Sequence, residues 1–315
     1  TNRKILTKFV ARMKDNYKTG YLLAFLAAVI WGISGTLAQF LFQHRGVNTE
    51  WLVTVRLLIT GIIFLLFSGA GRNPRLFSIW KNKTDIIQLL LFSIIGMMAV
   101  QYTYFAAIKH SNAATATVLQ YLGPLVIAGY YAVKMKRLPV SHEIISVLLA
   151  LSGTFLLVTH GSIHSLYISG WALFWGISSA LTLAFYSIQP IALLRKYDSS
   201  IVIGWSMFIG GIAFSFVRQP WHTSGVWDIR TYIFTAFIIL MGSLVSFYAY
   251  LTAVKYIGAK TTSLLACAEP LSAAVLAVYW LDVSFGLYEW LGTACILATI
   301  IILAVKDKPV AVDTA

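Results

Sequence analysis

Ten apolar runs follow one another along the chain, at about 20–43, 51–69, 86–108, 112–133, 143–160, 169–193, 199–217, 231–254, 260–280 and 287–305. A helix of about 20 apolar residues crosses the hydrocarbon core of a bilayer. Helices are the expected form, because unpaired backbone groups are too costly in lipid. The composition agrees. Hydrophobic residues make up 59% of the 315 residues and charged residues 11%, with a mean hydropathy of +0.79. A soluble domain carries about 25% charged residues. The expected fold is an all-α membrane protein with ten transmembrane helices. Both cysteines, Cys267 and Cys295, lie in apolar runs and offer neither a disulfide framework nor a metal-binding spacing.

The lysines and arginines give an orientation. With the N-terminus in the cytoplasm, 19 of them fall on inner segments and four, Arg45, Lys109, Arg218 and Arg230, on outer ones. The positive-inside rule then places both termini in the cytoplasm. The net charge of +13 faces the anionic inner leaflet, so nucleic acid is not needed as a partner. The basic stretch 1–19 lacks the small-residue cleavage site of a signal peptide and is expected to remain as a cytoplasmic segment, with Met13 an alternative start. Residues 306–315 form the cytoplasmic tail.

The chain also contains itself twice. QYTYFAAIKHSNAATATVLQYLGPL (101–125) set over FYAYLTAVKYIGAKTTSLLACAEPL (247–271) has nine identities in 25 positions without a gap, at an offset of 146. Tyr102/Tyr248, Tyr104/Tyr250, Lys109/Lys255 and Pro124/Pro270 are among them, and Glu143/Glu289 continue the offset. Each half, 20–160 and 168–305, holds five runs. Five is odd, so the second half enters the membrane from the opposite side. Two inverted five-helix repeats can exchange conformations and open a midplane site to each side in turn. Duplication kept only for packing is the plainer alternative.

Trp31–Gly32 in the first run, VRLL around Arg56 in the second, the duplicated YxYxxAxK segment and AEPL at 268–271 resemble the EamA type of the drug/metabolite transporter superfamily. The resemblance spans nearly all of 20–305. It implies a secondary transporter of the bacterial inner membrane, often an exporter, for amino acids, related metabolites or amphiphilic drugs. It also implies a central cavity lined by spans 1, 3, 4, 6, 8 and 9. Two departures stand out. Gly123 occupies the position that matches Glu269. KMKRL (134–138) lacks the acidic residue often found after span four, although its counterpart Asp282 is present.

Glu269 is the sharpest feature: a carboxylate in an apolar run, followed by Pro270. An ionised carboxylate at a helix centre costs roughly 2.5–3.5 kcal/mol on insertion scales. Three readings are open. The group faces a wet cavity and takes a cation or a proton, it pairs with a fixed cation, or it is protonated and packed. Pro270 removes a backbone donor and frees a carbonyl near Ala266, and Pro124 acts likewise in span four; both are expected to kink their helices. Arg56, five residues into span two near the outer face, either snorkels or packs, or serves a gate or salt bridge. Lys109 and Lys255 end their helices, where cations suit the dipole; their repeat-related positions also make them candidate gate latches.

Trp31, Tyr102, Tyr104, Tyr121, Trp175, Tyr186, Tyr248 and Tyr250, with Trp171 in addition, are candidate cavity linings. Aromatic rings around one acid suit an amine-bearing solute through cation–π contact. Interfacial belts are the alternative use of such rings. Side chains at i and i+2 diverge by about 200° on a helix, so one of each pair, Tyr102/Tyr104 and Tyr248/Tyr250, can face a cavity. Ala113–Thr117 and Ala259–Ser263 open spans four and nine with small residues that let helices approach closely.

The chain has no GxxxxGK[ST] loop, HExxH or GxSxG pattern. His160 and His164 are spaced i, i+4, but in a link, with no third ligand in reach; neither metal nor cofactor is expected. The expected function is secondary active transport by alternating access, without enzymatic activity, of a small solute such as an amino acid or amine, with a proton gradient as one driving force. The rival class is a non-transporting sensor or assembly subunit, or a membrane enzyme. Oligomeric state is not legible.

Overall fold

The computed structural model describes residues 2–71, 75–136, 140–159, 168–266, 268–282, 284 and 286–306. Among these, all regular structure is helical. In chain order the helices are α1 (Asn2–His44), α2 (Thr49–Ala70), α3 (Lys83–Leu91), α4 (Ala99–His110), α5 (Ala113–Gln120), α6 (Gly123–Lys134) and α7 (Ser141–Thr159). There follow α8 (Gly170–Ile188), α9 (Ile191–Lys196), α10 (Ser199–Ser215), α11 (Ile229–Ile239), α12 (Ser246–Leu265), α13 (Ala268–Leu281) and α14 (Leu287–Lys306). Among the described residues, seven helical stretches are long and apolar enough to cross a membrane: Asn16–His44, Thr49–Ala70, Lys83–His110, Ala113–Lys134, Gly170–Lys196, Ile229–Ala259 and Thr261–Leu281. Shorter apolar helices occupy Ile144–Leu156 and Ser199–Ser215. The protein is a multi-pass membrane protein.

Helix packing follows the 146-residue offset. α2 packs on its counterpart α10, and α7 on its counterpart α14. α1 packs on α12, and α8, the counterpart of α1, packs on α4, the counterpart of the first part of α12. Small residues permit the closest approaches. A Cβ on Gly61 would lie 2.8 Å from the Phe208 Cα, and one on Gly153 2.7 Å from the Gly292 carbonyl.

The irregular backbone is also duplicated. A π-helical segment, Phe92–Met98, joins α3 to α4, and a second, Leu240–Val245, joins α11 to α12. Asn112 caps α5 by accepting from the Thr115 N–H at 2.8 Å. Its counterpart Gly258 interrupts α12 at φ 81°, a left-handed conformation that glycine tolerates without a Cβ clash. The next break in each half falls just before the proline. α5 stops at Gln120 and α6 restarts at Gly123; α12 stops at Leu265 and α13 restarts at Ala268. Pro124 and Pro270 therefore do not kink helix interiors, as expected from sequence. They sit in the first turn of new helices, where a missing N–H leaves no ladder bond unmade.

Candidate functional site

The restart of α13 changes the setting of Glu269. It is the second residue of a half-helix, so its carboxylate lies at the positive end of that helix rather than in the middle of a continuous one. It is 4% exposed. The Ala266 carbonyl, which accepts from the Glu269 N–H at 3.0 Å, has a second partner in the other half of the molecule. The Tyr121 hydroxyl lies between the Ala266 carbonyl, to which it donates, and Glu269 Oε2 at 3.3 Å. The Tyr104 hydroxyl also turns toward this carboxylate and is held by the Thr117 hydroxyl at 2.8 Å.

α1 meets α13 at this point through Gly32. A Cβ there would lie 2.7 Å from the Glu269 carbonyl and 3.0 Å from the Ala273 nitrogen. The corresponding turn of the first half is tightly packed. A Cβ on Gly123 already meets the Ala180 carbonyl at 3.2 Å and the Leu183 side chain at 3.1 Å. The sequence difference between Gly123 and Glu269 is thus a difference in how tightly α8 closes on the α6 start.

Arg56 is packed. It does not snorkel: it is 3% exposed and turned inward. Its Nε donates to Ser243 Oγ at 2.8 Å and its Nη2 reaches the Gly242 carbonyl at 3.4 Å. The guanidinium stands 4.5 Å from the centre of the Phe105 ring and 5.9 Å from that of Phe247. Its anchors belong to the second π segment. In π register each N–H reaches back five residues, so one carbonyl is passed over where α register resumes. The Gly242 carbonyl of this stretch accepts from Arg56 and, at 3.0 Å, from Trp31 Nε1.

Glu269 and Arg56 line one small cavity, together with Trp31, Ser34, Val100, Gln101, Tyr104, Phe105, Gln120, Leu183, Tyr186 and Phe247. Trp31 lies 5.1 Å from Phe247 and 5.0 Å from Tyr250, and Tyr186 lies 5.7 Å from both, so these rings form one aromatic wall. Gln120 Nε2 donates to Ser179 Oγ at 2.6 Å. Both amide atoms of Gln101 and the Tyr186 hydroxyl are buried with no hydrogen-bond partner among the described residues.

The aromatic candidates therefore separate. Trp31, Tyr104 and Tyr186 line the cavity, Tyr121 touches Glu269 from its edge, and Tyr250 backs the wall while bonded to the Ser187 hydroxyl at 2.9 Å. Tyr102 packs on Trp175 and Phe214 instead, and Tyr248 is 44% exposed against Phe64. Trp175 serves Tyr102 and Phe174, and Trp171 is exposed. Each i, i+2 pair thus sends one ring inward. Lys109 lies 3.5 Å from Glu50, while Lys255 is exposed. His160, His164 and Cys267 fall outside the described residues. The sequence reading missed Ser34, Gln101 and Phe247. Ser34 and Gln101 each lie three positions from a ring that was identified, on the same helix face, and that spacing was the available signal.

Two further ties close the bundle. In the 218–228 link the Pro220 carbonyl accepts from Trp51 Nε1 at 2.8 Å, and Asp228 pairs with Arg45 at 3.0 Å. Elsewhere, buried Asp85 accepts from Lys196 Nζ at 2.7 Å and from the Tyr197 hydroxyl at 2.9 Å, joining α3 to the end of α9.

Residues 18–159 and 170–305 each match the EamA-like transporter family. The chain is 39% identical over 293 residues to the "Uncharacterized inner membrane transporter YicL" of Salmonella typhimurium, covering 92% of this chain and 97% of that one. It is 23% identical to the "Uncharacterized transporter YwfM" of Bacillus subtilis, covering 94% and 96%. A solved structure titled "Crystal structure of protein" superposes with a TM-score of 0.63 at 16% identity, covering 90% and 96%, a likeness of fold alone.

Proposed function

The chain belongs to the EamA-like transporter family, and on that footing we propose that it is a secondary active transporter that exports small amine-bearing metabolites, such as amino acids or amines, by alternating access. It is a membrane transporter; the solute, direction, coupling and ten-span inverted architecture are parts of the proposal. The observation that carries it is the placement of Glu269: a buried carboxylate at the start of a half-helix, on the wall of a cavity built from both halves of the chain. Broken helices at midplane depth that present their ends to a cavity are the usual construction of a transporter's solute site.

Tyr121 suits Glu269 to a change of charge. With its proton given to the Ala266 carbonyl, the Tyr121 oxygen can accept from a protonated Glu269; turned the other way, the same hydroxyl donates to the carboxylate. A proton or a solute ammonium would neutralise the acid in turn, which links the uptake of one to the release of the other. The two halves would rock about the duplicated breaks, with Lys109 and Lys255 as candidate latches at their helix ends.

The test is flux in proteoliposomes loaded with a mixed pool of amino acids and amines, under a pH step, with wild type and Glu269→Gln side by side. Solute driven by the pH gradient in wild type, and only exchanged by the variant, is the expected result. Identical flux in the two overturns the role of Glu269. Absence of flux for every solute overturns transport of this class.

A further inference from the structure

Arg56 carries a buried positive charge that no fixed anion answers. It is 3% exposed and forms no ion pair among the described residues. Two of its five N–H donors have partners, the Ser243 hydroxyl and the Gly242 carbonyl, and both partners are neutral. The Phe105 and Phe247 rings add cation–π contact at 4.5 and 5.9 Å, which attracts the cation without cancelling its charge. Glu269 lies on the same cavity, but its carboxylate is taken up by the Tyr121 and Tyr104 hydroxyls. Buried charges are ordinarily compensated, and a lone one inside a membrane is expensive.

Gln101 is a second, independent observation. It is buried on the same cavity, and neither its amide nitrogen nor its oxygen has a partner among the described residues. It stands one helical turn before Phe105 on α4, and residues four apart share a helix face. Phe105 is the ring over which the guanidinium lies, which brings the amide to the guanidinium's side of the cavity. The Tyr186 hydroxyl, fully buried and also without a partner among the described residues, lines the cavity too. All three groups donate hydrogen bonds. The duplication does not account for Gln101, because the matching position of the second half is Phe247. An unmade hydrogen bond at a buried amide is costly. Water would satisfy the amide, but it would leave the guanidinium charge as it is.

We infer that Arg56 and Gln101 form a binding site for a small monovalent inorganic anion of the chloride kind, distinct from the acid that serves the solute's amine. The anion takes the open N–H groups of Arg56 and the amide N–H of Gln101, with the Tyr186 hydroxyl as a further donor. Hydrogen bonds between ionised partners are the strong ones. A single negative charge balances the guanidinium. A dianion such as sulfate would leave one charge over on a cavity that already holds Glu269. The anion is a resident counter-ion, so the site stands whether or not the chain moves amines. Arg56 is then a binding residue rather than a gate.

The experiment titrates the purified protein in detergent with chloride, gluconate keeping the ionic strength constant. It reads the displacement of radioactive chloride in a scintillation proximity assay, and the unfolding midpoint. Wild type is expected to hold displaceable chloride saturably and to unfold at a higher temperature in chloride than in gluconate, because a ligand bound by the folded state alone stabilises it. Bromide and nitrate should displace the chloride, and sulfate should not. Arg56→Gln should abolish both the binding and the chloride dependence of the midpoint. Gln101→Leu should weaken binding about tenfold, the worth of one buried hydrogen bond. Lys81→Gln, at an exposed cation, should bind as wild type does. An absence of saturable chloride binding in wild type overturns the inference, and that result needs no variant to fold. So does binding that survives Arg56→Gln unchanged, or sulfate displacing chloride as well as bromide does. Neither readout involves an amine or a flux, so failure of this site leaves the proposed transport standing, and failure of transport leaves the site standing.

Discussion

The hydroxyl of Tyr121, in the first half of the chain, stands 3.3 Å from Oε2 of Glu269 in the second, and the same hydroxyl donates to the Ala266 carbonyl at the break between α12 and α13. One side chain thus touches both the carbonyl at the helix break and the buried acid that follows it. Tyr121→Phe removes one donor from each acceptor in a dry setting, leaving the Ala266 carbonyl with the Glu269 N–H alone and the carboxylate with the Tyr104 hydroxyl. The expected loss is about 1–3 kcal/mol of stability, read as a lower unfolding midpoint in detergent. Tyr102→Phe, outside the cavity, is the comparison and should shift it less.

Gly32 sets the distance between α1 and α13 at the Glu269 turn. Gly32→Ala forces a methyl against the Glu269 carbonyl, at 2.7 Å without movement. Overpacking of this kind costs about 1–3 kcal/mol. Gly129→Ala is the control, because nothing lies within 4 Å of its Cβ position. At a helix interior that change should be neutral or stabilising by about 0.4–1 kcal/mol. Opposite shifts of the two midpoints would support the close approach, and equal shifts would sink it.

Asp228 gives a pH signature outside the membrane-spanning segments. The Thr231 backbone N–H and then its hydroxyl hold the carboxyl below its ordinary value of 3.8, with Arg45 adding to the effect. A depressed folded-state value means that the stabilisation is present above the ordinary value and is lost as pH falls through the folded one. Asp228→Asn should therefore be less stable than wild type at pH 6, with the difference closing once the pH is well below 3.8. A difference that persists unchanged in acid would count against this assignment.

Asp85 joins two parts of the bundle through Lys196 and Tyr197. Its side chain is buried, whereas that of Lys196 is 54% exposed. Water screens such a pair, so a double-mutant cycle between Asp85→Ala and Lys196→Ala should return no more than about 1 kcal/mol of coupling. The Tyr197 hydrogen bond is buried and should couple more strongly in the parallel cycle with Tyr197→Phe. The reverse order would show that the lysine charge dominates the tie.

Much of this protein is legible in the chain alone. Apolar runs of about 20 residues fix which segments are helical and meet lipid, because hydrocarbon leaves the backbone no other partner than itself. The 146-residue offset marks the duplicated turns around Tyr104/Tyr250 and Pro124/Pro270. Glu269 is conspicuous by charge, and helix geometry alone says that the two rings of each tyrosine pair diverge.

What hydropathy and spacing do not record is which distant group answers a polar one. Arg56 reads equally as a residue that snorkels, packs or pairs until the π segment brings Ser243 and Gly242, 187 and 186 positions away, to its guanidinium. The asymmetry between Gly123 and Glu269 has no visible cause until α8 is seen to close on the first turn of α6. Gln101 is an ordinary glutamine in an apolar run until its amide is found buried without a partner on the cavity wall. A residue's local pattern reports the medium it meets. Its partner is chosen by long-range packing, which sets every distance in this site and which a single chain read in order does not contain.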